Sequence, residues 1–315
     1  MDEFALIEAI RRRAGRPGAA GVAPGTGDAA AALGPTPGHA VVATVDQLVE
    51  GRHFDDRASP ADVGHLSVAV NLSDLAAMGA RPRWLLLALT LPDGDADWID
   101  AFLDGFLALA DTHGCTLVGG NLARGPLQIG VTALGECDPD RLGRRHGASE
   151  GDRIVVTGTL GDAAAALKFD AGRDSSLGRR LLRPSPRVGT GLRLAQRATA
   201  LIDVSDGLLA DLGHLLGDLG ATIDATSLPT STALREAVPD DHERWGLQLS
   251  GGGDYELLFT LREGDAPAEL DGVPLTTIGR VTGPGPIRCL DAEGGDVDVA
   301  TRGWNHFGIA DDDHG

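Results

Sequence analysis

The chain has 315 residues, 42% of them hydrophobic, with 46 acidic against 27 basic side chains and a net charge of −19. That length gives room for two domains with cores of their own, and a surface this acidic repels nucleic acid. No apolar run reaches the roughly eighteen residues of a membrane span, and the start, MDEFALIEAIRRR, lacks the order of a secretory signal, so the expectation is a soluble cytoplasmic protein.

Cys115, Cys137 and Cys289 are odd in number and far apart, which speaks against a disulfide framework or a zinc site and for packing roles. The single lysine, Lys168, lies in Ala-Leu-Lys-Phe, so there is no P-loop; H-R-D and D-F-G are also absent, so there is no protein-kinase core. An acidic, lysine-poor surface suits a salt-adapted protein whose charge repulsion is screened, although a GC-rich genome could also favour arginine and alanine.

In chain order, residues 4–12 read as a short helix and residues 14–38 as a Gly/Pro/Ala-rich loop. Gly25 to Ala30 matches G-x-G-x-x-A, but no strand precedes it, so a dinucleotide fingerprint is not expected. Asp28 in that loop could be a turn residue or a ligand. Residues 39–45 read as a strand running into Asp46, with His53 shortly after. Ser59, Pro60 and Asp62 form a helix start. In the helix that follows, Val63, Leu66 and Val70 make an apolar face; Ser67, Asn71 and Asp74 make a polar stripe of short side chains, and Gly79 can close it as a left-handed cap. That stripe is either a solvated face low in charge or a face that presents Asp74 to a cation.

Residues 84–91 read as a strand, 95–112 as an amphipathic helix with Trp98, Phe102, Phe106 and Leu109 on one face, and 115–118 as a buried strand ending in a glycine loop, Gly119-Gly120-Asn121. A strand at 127–134 and a polar connection at 138–152 follow. The unit 154–169 is strand, glycine turn and alanine-rich helix; its two glycines make it a fold element rather than a nucleotide fingerprint. Arg179, Arg180, Arg183 and Arg187 form either a solvated face or an anion clamp. Residues 200–204 read as a strand entering a helix from Leu208 to Leu219, with Asp203, Ser205 and Asp206 at the corner. A glycine turn at 251–253 feeds another strand, further short strands lie at 276–281 and 287–290, and the acidic end is expected to be disordered.

The recurrent theme is a carboxylate or amide at a strand end, a glycine loop or a helix: Asp28, Asp46, Asp74, Asn121, Asp203 and Asp206. Hard oxygen donors on short side chains suit Mg²⁺. Two carboxylates about 4 Å apart repel by roughly 4 kcal/mol at an effective dielectric near 20, so a cluster of them needs cations or protons. Several Mg²⁺ ions would in turn bind a polyphosphate.

The stretches GDAAAAL (27–33), TVDQLVEGRHF (44–54), AVNLSDLAAMGARP (69–82), GGNLARG (119–125), GDRIVVTGTLGDAAAAL (151–167), LRPSPR (182–187), IDVSDGLLADLGHL (202–215), LSGGGDYELLFT (249–260) and GWNHF (303–307), in this order, resemble the thiamine-monophosphate kinase family of the aminoimidazole-ribonucleotide synthetase-like superfamily. The resemblance implies an α/β (α+β) two-domain fold. Residues 1–138 would be an ATP- and Mg²⁺-binding domain whose mixed sheet pairs with its twin in a homodimer, and residues 139–315 a C-terminal α/β domain with an acidic tail. It also implies γ-phosphoryl transfer from ATP to thiamine monophosphate. Asp28, Thr44, Asp46, Asp74, Asn121, Asp203 and Asp206 would lie at Mg²⁺ sites, Gly120, Asn121, Arg145 and Ser205 at ATP, and His53 and Trp304 near the thiamine phosphate. No general base is expected beyond these ligands, because the acceptor oxygen is already ionised. Three positions depart from the family pattern: Ala29 for a metal-binding acid, Asn121 for an Asp, and Gly253 for a substrate-contacting Glu. They leave open a related ATP-dependent enzyme with another acceptor, or a nucleotide-binding paralogue without turnover.

Overall fold

The computed structural model describes residues 3–14, 21–22, 29–262, 264, 267–299 and 303. The first half contains α1 (Glu3–Ala14), β1 (Ala40–Val49), α2 (Pro60–Ala77), β2 (Arg81–Leu91), α3 (Ala96–Thr112), β3 (Thr116–Arg124) and β4 (Gln128–Cys137). Its sheet runs β1-β4-β2-β3, antiparallel except for the parallel β2–β3 pair. Helices α2 and α3 cross backbone to backbone: a Cβ on Gly64 would stand 2.0 Å from Phe102 O, and one on Gly105 1.8 Å from Ala61 O. Glycine is obligatory at that crossing.

Helix α2 starts as the sequence indicates. Ser59 and Asp62 form a reciprocal capping box, with Pro60 in the first turn. Gly79, just beyond the C-cap Met78, has φ 62°. What the amphipathic reading misses is that α2 is buried on nearly every side. One flank meets α3, β1 and β4, and the other meets α6 (Val188–Leu194) and β6 (Ala200–Asp203) of the second half. The polar stripe is therefore internal: Ser67 donates to Gly64 O at 2.9 Å, and Asn71 Nδ2 to Ser67 O at 3.0 Å.

The second half adds β5 (Arg153–Thr157), α4 (Asp162–Lys168), α5 (Ser176–Leu182), α7 (Leu208–Leu216), β7 (Leu219–Asp224), α8 (Thr232–Ala237), α9 (Asp241–Ser250), β8 (Leu257–Leu261), β9 (Glu269–Leu270), β10 (Val273–Pro284) and β11 (Ile287–Leu290). Its sheet runs β11-β7-β10-β5-β8-β6, with β9 paired to β10. One face of this sheet shares the core of the first half through Val155, Leu201, Leu257 and Phe259; the other packs on α7 and α9.

Three expectations need correction. The strand at 115–118 does not stop at the glycines but continues through Gly120 and Asn121 as β3. The helix from Leu208 ends at Leu216, and Leu219 opens β7, because Gly217 turns the chain at φ 60°. The arginine-bearing stretch 171–186, read without a helix, contains α5. The three cysteines are buried and none of them is in a disulfide. The acidic tail lies outside the described residues.

Candidate functional site

Strand alternation puts Thr44 and Asp46 on the same face of β1, toward α2. Thr44 Oγ1 donates to Asp74 Oδ2 at 2.5 Å, fixing one oxygen of that carboxylate. The preceding residue of α2, Ser73, donates to Asp203 Oδ2 at 2.6 Å. Asp203 is the last residue of β6 and only 6% exposed. Two adjacent positions on one helix thus tie the middle of β1 to the end of β6.

The electrostatics of these acids show how little compensates them. Burial pushes Asp203 up to about 8, with Asp74 and Asp211 adding to the shift and Ser73 opposing it. Burial, then the charges of Asp74 and Asp206, push Asp46 up to about 6. Asp74 is raised by burial against the hydrogen bond from Thr44 and the positive charge of Arg145. These mutual influences, with the Thr44–Asp74 and Ser73–Asp203 hydrogen bonds, put Asp46, Asp74, Asp203 and Asp206 in one neighbourhood, which the charge of Arg145 also reaches.

The corner after β6 is built by close approach of two segments. Gly253 N–H donates to Ser205 O at 2.8 Å, and a Cβ on Gly252 would stand 2.5 Å from the same oxygen. This is why 251–253 is a run of glycines, and Gly253 itself has φ 85°. Asp211, one turn into α7, accepts the N–H groups of Ser205, Asp206 and Gly207 at 3.0, 3.1 and 3.2 Å. Burial and then Asp206 raise it to about 6. Within a helix Asp211 reads as a surface acid, and the spacing D-x-x-x-x-D after a strand is the signal that marks it. Tyr255, which no motif marks, is bonded through its N–H to Val204 O at 2.8 Å, directly after Asp203.

His53 lines a separate cavity of about 230 Å³ with Phe54, Leu167, Leu181 and Leu182, and its Nδ1 accepts Val49 N–H at 3.0 Å. Gly120 and Asn121 are exposed on β3. A Cβ on Gly120 would stand 1.9 Å from Leu87 O, so only glycine fits against β2 there. The strand order puts β3 at the opposite edge from β1, three strand spacings or about 14 Å from Asp46. The two residues are therefore not brought to the acids within one chain. Asp28 and Trp304 lie outside the described residues; Gly303, just before Trp304, packs against Asp206 O and Ala210.

The donors at the pocket are carboxylates and a threonine hydroxyl, a hard-oxygen set that fits Mg²⁺ and not zinc. Among the described residues, no three His, Cys, Asp or Glu side chains are gathered closely enough to hold an ion by themselves. This is an open arrangement of carboxylates rather than a closed cage.

Three of the four arginines pair with acids, whereas Arg179 is exposed and reaches Asp174 O. Arg183 Nε donates to Asp62 Oδ1 at 2.5 Å; Arg180 and Arg187 reach Glu256 at 2.9 and 2.6 Å, and Arg180 also stands 3.5 Å from Asp162. These three neutralise buried acids.

Comparison with known proteins agrees with this architecture. Residues 27–137 match the AIR synthase related protein, N-terminal domain. The thiamine-monophosphate kinase of Escherichia coli O157:H7 is 43% identical over 300 residues, covering 90% of this chain and 91% of that one. The crystal structure of thiamine-monophosphate kinase from Stenotrophomonas maltophilia K279a superposes with a TM-score of 0.84 at 46% identity, covering 92% and 96% of the two chains. The structure of AaThiL complexed with AMPPCP and TMP gives a TM-score of 0.77 at 31% identity, with 97% of each chain covered.

Proposed function

The chain belongs to the thiamine-monophosphate kinase family, and from that membership we propose that it transfers the γ-phosphoryl group of ATP to thiamine monophosphate, giving thiamine diphosphate and ADP. The observation that carries this reading is the convergence of Asp46, Asp74, Asp203 and Asp206, from distant parts of the chain, on one pocket with no buried cation of its own among the described residues. Filled by cations, such a cluster is suited to bringing two phosphates together.

Asp46, Asp74, Asp203 and Asp206, with Thr44 and with Asp28 from the preceding loop, would hold Mg²⁺; Asn121 is a neutral oxygen donor to the same ions. Bound there, Mg²⁺ supplies the charge neutralisation that lets the triphosphate and the acceptor phosphate approach in line. The open arrangement supports this assignment, because Mg²⁺ keeps waters and phosphate oxygens as ligands and takes only one or two carboxylates per ion. The chain's own residues do the positioning. Thr44 and Ser73 orient Asp74 and Asp203, and Asp211 fixes the backbone that presents Ser205 and Asp206. Arg145, Gly120, Asn121 and Ser205 contact ATP. His53, in its half-apolar cavity, and Trp304 receive the thiamine moiety.

A homodimer completes the reading. The face of β1 turned away from α2 exposes Val41 and Val45, 48% and 68% accessible. The distance from β3 to Asp46 leaves a second copy as the source of the Gly120–Asn121 contacts. The domain division is 1–138 for nucleotide, metal and dimer contacts and 139–315 for the C-terminal unit. Cytoplasmic residence goes with the need for ATP, and among the described residues no helix is long and apolar enough to cross a membrane. The charge of −19 fits a salt-adapted protein. The test is incubation of the purified chain with ATP, Mg²⁺ and thiamine monophosphate. Thiamine diphosphate and ADP in equal amounts support the reading; ADP release only with a different acceptor, or nucleotide binding without turnover, replaces it.

A further inference from the structure

Helix α5 and its C-cap carry Ser176, Arg179, Arg180 and Arg183 at positions i, i+3, i+4 and i+7, a spacing that lines them along one face. That face and the start of α8 border a cavity of about 410 Å³, within the size range of small-molecule sites. Three guanidiniums and one carboxylate, Asp162, stand in its walls, in a chain with 46 acidic against 27 basic side chains. The cavity that holds His53 touches other residues of the helix, Gly178, Leu181 and Leu182, so the two are separate.

The donors and acceptors around the cavity are out of balance. Asp162 is already engaged: Thr159 Oγ1 and Ser231 Oγ donate to it at 2.8 and 2.5 Å, and Arg180 stands 3.5 Å away. Arg180 is engaged as well, since it donates to Glu256 at 2.9 Å. Arg183 is not. Only its Nε meets Asp62, and its side chain is 41% exposed. Arg179 has no acidic partner among the described residues; its Nη1 donates to Asp174 O, which leaves the rest of the fork open. The hydroxyls of Ser176 and Thr232, also in the walls, have no hydrogen-bond partner among the described residues. Two guanidiniums one turn apart and two open hydroxyls are donors in want of acceptors. Guanidinium forks match the oxygens of a phosphate, and hydroxyls complete its shell. Leu177 and Ala233 add an apolar wall suited to a small organic body.

We propose that this cavity binds a small phosphate-class anion, inorganic phosphate or a phosphate monoester, held by Arg179 and Arg183 with Ser176 and Thr232. The site is distinct from the uncompensated acids. Arg183 stands at Asp62 in the first turn of α2, and Asp74 lies about 18 Å further along that helix. The anion takes the Nη groups of Arg183 and leaves its Nε on Asp62, so the fold keeps its buried pair and binding stabilises the native chain by mass action. The proposal does not depend on the kinase reading.

The test uses the full chain in EDTA, with ionic strength held constant by sodium chloride. Without a divalent cation the acids of the first site repel an anion, so that site gives no signal. The probes are inorganic phosphate and glycerol 3-phosphate, titrated by calorimetry, and the tighter of the two names the source of the anion. The expected result is saturable binding with a dissociation constant of about 1 mM or below, and a melting temperature that rises with the anion. Arg179→Gln should weaken binding by about tenfold or more, the loss of a charged hydrogen bond, with the anion-free melting temperature unchanged. Arg288→Gln removes the same charge from an exposed pair and should leave the affinity within about twofold of the parent. No saturable binding of either probe overturns the proposal. So does an Arg179→Gln chain that binds like the parent, or equal weakening in both variants, which shows an effect of net charge alone. A chain that makes thiamine diphosphate but takes up neither probe in EDTA loses this proposal and keeps the kinase reading; one that binds the anion without turnover does the reverse.

Discussion

Two clusters of buried acids lie at the two ends of α2, and they have opposite fates. At the first turn, burial alone would raise Asp62, but hydrogen bonds from Ser59 and Arg183, together with the charge of Arg183, hold it below the usual carboxylate range. Arg180 and Arg187 enclose Glu256 in the same way. At the last turn, Asp74 faces Asp46 and Asp203 with no buried guanidinium among them, and all three are raised. One residue type thus serves two ends. Acids paired with arginine hold the fold together, whereas acids left to repel one another create a demand for a cation from outside. This is the trade between stability and function that active sites commonly show.

The sharpest way to break the comparison is Asp74→Asn. Activity should fall by about 10³-fold or more, in the range seen when an electrostatic contact of the transition state is lost, while the metal-free protein melts higher because a like charge has gone. Thermal melts beside initial rates would check both, and a lower melting temperature would place Asp74 among the structural acids. At the other end, Arg187→Ala should destabilise by roughly 3 kcal/mol, the low end for breaking a buried pair, since Arg180 still reaches Glu256. Chemical denaturation measures it.

The pH dependence follows from the raised groups. Asp203 and Asp254, pushed up to about 8 and about 7 chiefly by burial, keep protons that the unfolded chain has already lost. Between pH 6.5 and about 8 the native state still holds protons that the unfolded chain lacks, so stability declines as pH rises, and the decline flattens once both carboxyls have ionised. His65 and His113, lowered by burial, titrate below that window. A melting temperature of the metal-free protein that falls across it, and a flatter profile in millimolar Mg²⁺, are the expected outcomes. The smallest effect is that of Arg288→Ala. Its pair with Asp296 is exposed, so the melting temperature should stay within about one degree.

Much of the first half was legible in the sequence because its signals are local. Ser59, Pro60 and Asp62 announce α2, and the aromatic spacing from Trp98 to Phe106 announces α3, in which Trp98 and Phe102 stack at 5.3 Å. The second half was harder to read. Helices α5, α6 and α8 have six or seven residues, too few for a period to show, and they hold their place by packing on other elements. Candidate site acids could be picked out as short polar residues in apolar surroundings. The partners of the arginines could not: Arg183 finds Asp62 across 121 positions, a pairing that no spacing rule reveals.

Helix α2 carries Asp62 in its first turn and Asp74 in its last. Eighteen residues of helix make a rod about 27 Å long, and the glycine crossing with α3 acts as its fulcrum. A rod seated this way does not stretch, so the arginine clasp and the group of uncompensated acids keep a fixed separation whatever the intervening loops do. Insertions can accumulate in those loops without detuning the chemistry, whereas a one-residue slip inside the rod would rotate Asp74 by about 100° and silence it.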